Sequence, residues 1–123
     1  MRERTDADDI VQSAYNRALL DLILPPMRRA AKEAGYALAV HGSLNRDIDL
    51  IAVPWIEHNV WSKEALLDAL TGAVRGVTGR CNYYAEEWTA KPHGRFAKGM
   101  MAWCGESTAH LDLSVMPSVA KKE

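Results

Sequence analysis

The sequence is poor in the features that most readily declare a function. It holds only two cysteines, Cys81 and Cys104, with no CxxC pair. That argues against a disulfide framework and fits no standard zinc spacing, even if His41 and His110 are added to the count. No stretch comes near the roughly 20 consecutive apolar residues that a membrane span requires. The opening MRERTDADDI is charged and lacks the apolar core of a signal peptide. Fifteen basic residues against 16 acidic ones leave a net charge of −1, so the chain carries no basic footprint and a nucleic-acid partner is not expected. Internal repeats, low-complexity tracts and linkers are missing as well. Together these absences predict a cytoplasmic protein with reduced thiols and no membrane partner.

What remains is ordinary globular material. Apolar residues make up 48% and charged residues 25% of 123 positions, which excludes disorder and predicts one domain over 1–123. A chain of this length buries roughly two-thirds of its unfolded surface, so no metal or disulfide staple is needed.

The hydrophobic pattern predicts N-terminal helices over about 8–34. Val11, Ala14, Tyr15, Ala18, Leu19, Leu22 and Ile23 recur at three-and-four spacing, and Asp6, Asp8 and Asp9 favour the start of a helix. Pro25 and Pro26 are expected to end this helix, and Met27–Ala34 to form a second one stopped by Gly35. An α/β core follows over about 36–117. Ala37–His41 and Asp47–Val53 read as strands, and Ser62 as the N-cap of a helix carrying Leu66, Leu67, Leu70, Val74 and Val77. Tyr83–Thr89, Arg95–Trp103 and Thr108–Val115 read as three antiparallel strands, and Lys121-Lys122-Glu123 as a fraying tail. The predicted class is α+β, a mixed sheet packed against helices.

The segment richest in chemistry is His41–Leu50. Residues two apart on a strand share a face, so Asp47 and Asp49 project together while Ile48 and Leu50 point the other way. Two carboxylates that close repel unless a cation lies between them, and Mg²⁺ prefers carboxylate oxygens. Gly42-Ser43, at a strand end, offers backbone N–H groups and a hydroxyl to a phosphate. In His110–Val115 the alternation puts Asp112 on the face opposite Leu111 and Leu113. If that strand neighbours Asp47–Val53, three carboxylates converge.

At Gly42-Ser43, Asp47-Ile48-Asp49 and Asp112 the sequence resembles the nucleotidyltransferase superfamily of the DNA polymerase beta type, over most of Met27 to Val115. The stretches GSLNRDIDLIAVPW, KPHGRFAKG and HLDLSVMP also look like small bacteriophage and prophage proteins. The superfamily resemblance implies transfer of a nucleoside monophosphate from an NTP to an acceptor hydroxyl. Asp47, Asp49 and Asp112 would hold two Mg²⁺ ions, and Gly42-Ser43 the triphosphate. Two departures stand out. Only Leu44-Asn45-Arg46 separates Gly-Ser from the first aspartate, a shorter span than the family commonly has. No residues are left for the helical domain that usually completes the enzyme, so a second copy or a partner chain would replace it.

Other residues admit two readings each. Arg46 could grip a phosphate or form a salt bridge that quiets Asp47 or Asp49. Lys91, His93 and Arg95, on a shared strand face, could bind phosphate or simply guard a sheet edge with charge. His41 and His110 adjoin the acidic motifs and are expected to be structural. Trp55, Trp61, Trp88 and Trp103 are expected in the core or at an interface, although Trp55 and Trp61 could stack on a base. For the whole chain, the alternative to catalysis is a silent nucleotidyltransferase fold used as a binding or interaction module.

Overall fold

A computed structural model of the chain describes residues 4–118; the expected fraying tail lies outside them. The first element is one long helix, α1 (Asp6–Ala34). Thr5 caps it: its hydroxyl accepts the Asp8 N–H at 3.2 Å, and the Asp8 carboxylate accepts the Thr5 N–H at 2.8 Å. Gly35, at φ 92°, ends it. The expected break at Pro25-Pro26 does not occur. The carbonyls deprived of a partner by the two prolines belong to Asp21 and Leu22, which are exposed, so water can satisfy them. Ile23 and Met27, both fully buried, hold the helix to the core on either side of the prolines.

The apolar residues of α1 form two stripes. Tyr15, Leu19 and Ile23 join the core, together with Asn16, Leu20, Met27, Ala31 and Ala34. Val11 and Leu22 stay in solvent, 69% and 60% exposed, and Ala14 and Ala18 lie between them on the same exposed side.

The rest of the chain forms β1 (Tyr36–His41), β2 (Asp47–Pro54), α2 (Lys63–Thr78), β3 (Arg80–Tyr83), β4 (Thr89–Ala90), a 3₁₀ turn (Pro92–Gly94), β5 (Phe96–Cys104) and β6 (Ser107–Val115). The strands make one six-stranded mixed sheet in the order β1-β2-β6-β5-β3, with β4 also pairing with β5. Neighbours are antiparallel except β2 and β6, which run parallel. The protein is therefore α+β. Ile48, Leu50 and Ala52 of β2 and Leu111, Leu113 and Val115 of β6 share one buried cluster with α1 and with Leu66, Leu70 and Val74 of α2. Both helices thus cover one sheet face, and alternation turns the other face outward. As expected, Ser62 caps α2, its hydroxyl accepting the Ala65 N–H at 3.1 Å.

The expected strand Tyr83–Thr89 is replaced by two short ones. Chain 84–88 leaves the sheet, with the Tyr84 N–H donating to the Gly99 carbonyl and Lys98 Nζ to the Glu86 carbonyl. Pairing starts instead at Arg80, where Cys81 is fully buried; burial pushes its thiol up to about 11. Trp55 and Trp61 are 57% and 42% exposed, so neither belongs to the core. Among the described residues no helix is long and apolar enough to cross a membrane.

The packing makes a direct prediction. Met27→Ala, which empties a fully buried site beside the prolines, is expected to cost about 2–5 kcal/mol in urea unfolding. Val77→Ala, at a half-exposed position of α2, is expected to stay within about 0.5 kcal/mol of wild type.

Candidate functional site

The parallel β2–β6 pairing decides where the acids go. Its register sets Asp49 directly beside Asp112, and Asp47 beside His110. Ile48, Leu50, Leu111 and Leu113 are buried under the helices, so their strand neighbours Asp47, Asp49, His110 and Asp112 must all turn to the open face. The row continues outward on both sides. His41 of β1 lies opposite Asp49, and Gly99 of β5 lies opposite Asp112. All three expected carboxylates therefore share one face, and two of them sit on adjacent strands about 4.8 Å apart.

Asp49 is the most constrained of the three. Burial pushes its carboxyl above the ordinary aspartate value, against the pull of His41, and the charges of Asp112 and Asp47 push it further. Gly42 presses against this carboxylate. A Cβ at Gly42 would lie 2.6 Å from Asp49 Oδ2, and the backbone there has φ 80°. Only glycine meets both conditions.

The loop after Gly42 is held from α1. The side-chain amide of Asn16, fully buried, donates to the Leu44 carbonyl at 2.9 Å and accepts from Gln12 Nε2 at 2.9 Å. Leu44 is itself buried at φ 65°. Arg17 Nη2 donates to the Ser43 carbonyl at 3.3 Å, and the Ser43 hydroxyl accepts the Asn45 N–H at 3.2 Å. Asn16 and Arg17 were not among the residues singled out from sequence. Asn16 left a readable signal: it is a polar residue in step with Leu19, Leu20, Ile23 and Met27 on the buried side of the helix, where an amide needs a partner.

Tyr84 also belongs to the site and has no sequence motif. The Cδ2–Cε2 edge of its ring is turned toward Gly99, where an added Cβ would come within 2.6 Å of the ring. Its hydroxyl hydrogen-bonds His110 Nδ1, with the two rings 6.0 Å apart. Burial raises the Tyr84 hydroxyl above its usual range, and Asp47 and Glu86 add to the effect.

The expected basic residues are placed differently. Arg46 points to Asp9 of α1, 3.5 Å away, rather than to Asp47 or Asp49. Asp9 is also paired with Arg4, and that hydrogen bond, ahead of the other influences, lowers its carboxyl. Lys91, His93 and Arg95 do not share a strand face, because Pro92–Gly94 is a 3₁₀ turn with His93 at φ 66°. Lys91 and His93 are exposed beyond the start of β5, at the end of the sheet away from Gly42. Arg95 alone reaches back over the open face, donating to the Ser114 hydroxyl at 3.2 Å. Ser114 is two residues along β6 from Asp112, about 6.6 Å in an extended strand.

A resident metal can be tested against this donor set. Carboxylates are the right ligands for Mg²⁺, and three share the face. Among the described residues, however, no three His, Cys, Asp or Glu side chains are gathered closely enough to hold an ion unaided. Mg²⁺ commonly uses only one or two carboxylates, with water and substrate phosphates completing its shell. The Asp49–Asp112 pair fits that mode of binding, whereas a closed protein cage is not formed. Compared with models of known protein families and with curated proteins, the chain matches none.

The raised Asp49 carboxyl has a consequence for stability. A carboxyl whose folded-state pKa lies above its unfolded value of about 3.8 favours folding while protonated. That contribution is complete below the unfolded value and is lost as pH rises through the folded one. In metal-free buffer, Asp49→Asn is therefore expected to melt higher than wild type at neutral pH. The difference should shrink toward zero in acid, as followed by circular dichroism.

Proposed function

We propose that the chain is a Mg²⁺-dependent, nucleotidyltransferase-like protein that transfers a nucleoside monophosphate from an NTP to an acceptor hydroxyl. The observation that carries this reading is the register pairing of Asp49 with Asp112, with Asp47 on the same face and the Gly42 backbone against the Asp49 carboxylate. Asp47, Asp49 and Asp112 would hold two Mg²⁺ ions, which when bound supply positive charge to the attacking and leaving oxygens of an in-line displacement. The chain's own groups divide the remaining work. Burial makes charge costly for the Asp49 carboxylate, which a cation arriving with the nucleotide would relieve. The Gly42-Ser43 turn would hold the triphosphate through its backbone N–H groups and the Ser43 hydroxyl. The Arg17 guanidinium, already at the Ser43 carbonyl, brings positive charge to that loop. His110, fixed through Nδ1 by Tyr84, keeps its other ring nitrogen for the site.

A second reading is a silent fold that serves as a binding or interaction module. One observation favours it: Arg46 is committed to Asp9, and Lys91 and His93 lie away from the acids, so the phosphate end has little basic support.

One titration separates the two. By calorimetry, wild type is expected to bind Mg²⁺–NTP, and the Asp47→Ala, Asp49→Ala double variant to lose at least about tenfold in affinity, roughly 1.4 kcal/mol. If the two proteins bind equally, or neither binds, the transferase reading is wrong and the silent module stands in its place.

A further inference from the structure

The outer stripe of α1 has no role in the site and is not explained by the core. Val11, Ala14, Ala18, Leu22 and Pro25 follow the three-and-four spacing of a helix seam, and all five are exposed. Ile10 beside them is 70% exposed. A helix that buries one face normally fills the opposite face with polar residues. Here the outward face is apolar over nearly four turns.

We infer that this stripe is the interface of a homodimer in which α1 packs antiparallel against α1 of a second copy. Charge selects both the occupant and the direction. Along one flank of the stripe lie Asp6, Arg17, Asp21 and Lys32, whose charges alternate in sign along the helix. A two-fold axis crossing the helix near Leu19 sets Arg17 beside Asp21 of the second copy, and Lys32 beside Asp6 of the second copy. Each contact then occurs twice, as a two-fold interface requires. Neither Asp21 nor Lys32 has an ion-pair partner within the chain among the described residues. Ala18, beside the axis, and Ala14 allow the two backbones to approach closely, Leu22 packs next to the axis, and Val11 and Pro25 fill the ends. The antiparallel direction also places opposite helix-dipole ends together.

The pairing bears on the carboxylate site without depending on its chemistry. Asp6, Asp9, Ile10, Ser13, Arg17 and Asn45 line a groove between α1 and the loop after Gly42. Lys32 of the second copy enters that groove, adding a cation near a loop supplied mainly by Arg17.

Sedimentation velocity, from low micromolar to near-millimolar protein and without nucleotide, tests the inference apart from any transferase activity. The wild-type chain is expected to shift from monomer to dimer. Val11→Asp and Leu22→Asp, both at well-exposed positions, should each keep the monomer's circular dichroism and melting behaviour while weakening dimerisation by about tenfold or more. Asp21→Arg should weaken it, and Arg17→Asp added to Asp21→Arg should restore it. A monomer at every concentration overturns the proposal, as does a dimer indifferent to both apolar variants. A double charge exchange that fails to restore association overturns the antiparallel register.

Discussion

The parallel contact between β2 and β6 is the constraint on which the rest of the molecule depends. The two strands are far apart in sequence and lie at the centre of the sheet, with Ile48, Leu50 and Ala52 of β2 and Leu111, Leu113 and Val115 of β6 among the side chains buried on the same helix-covered face. Once those six are inside, period two leaves no choice for the intervening residues. Asp47, Asp49, His110 and Asp112 come to the surface together because Ile48, Leu50, Leu111 and Leu113 cannot. Core packing thereby holds like charges side by side, and a one-residue slip that separated Asp49 from Asp112 would expose an entire apolar row.

The second constraint is the anchoring of the Gly42–Arg46 turn to α1. A buried amide must satisfy its polar atoms, and Asn16 does so through Gln12 and the Leu44 carbonyl. The turn has little freedom left: Gly42 is pressed against the Asp49 carboxylate, and Leu44 is buried in a left-handed conformation. A rigid turn of this kind presents its backbone N–H groups in a fixed arrangement. The same helix carries Asp9, which takes up Arg46. Helix α1 is thus both the roof of the core and the mount of the turn, which explains why its continuity through Pro25 and Pro26 matters: Ile23 and Met27, on either side of the prolines, hold both halves to one core.

Much of this was legible from residue order. The Asp47–Val53 and Thr108–Val115 strands alternate cleanly, so which face Asp112 occupies relative to Leu111 and Leu113 could be read directly. What alternation cannot reveal is strand adjacency, since the placement of β6 beside β2 is a long-range contact. Pro25 and Pro26 favour a helix break by local backbone chemistry alone, and the buried contacts of Ile23 and Met27 override that preference. Lys91, His93 and Arg95 misled because two-residue spacing has meaning only on a strand, and Pro92 together with His93 at positive φ makes a turn there. Tyr84 was illegible for another reason. Its position follows from the absence of a side chain at Gly99, fifteen residues along the chain.

The two apolar stripes of α1 show how one sequence pattern can hide two surfaces. Val11, Ala14, Tyr15, Ala18, Leu19, Leu22 and Ile23 look like a single broad face when only their spacing is counted. A helix in a two-layer protein can present no more than about half its circumference to the sheet, so a pattern this wide cannot all be core. The structure resolves it by the size of what is inside: Leu19, Ile23 and Met27 fill the space above the sheet, leaving Val11, Ala14, Ala18 and Leu22 outward. Exposed apolar rows raise the free energy of an isolated chain in water and lower that of any arrangement that covers them. The longest helix of the protein therefore carries the kind of surface through which a second helix can be added.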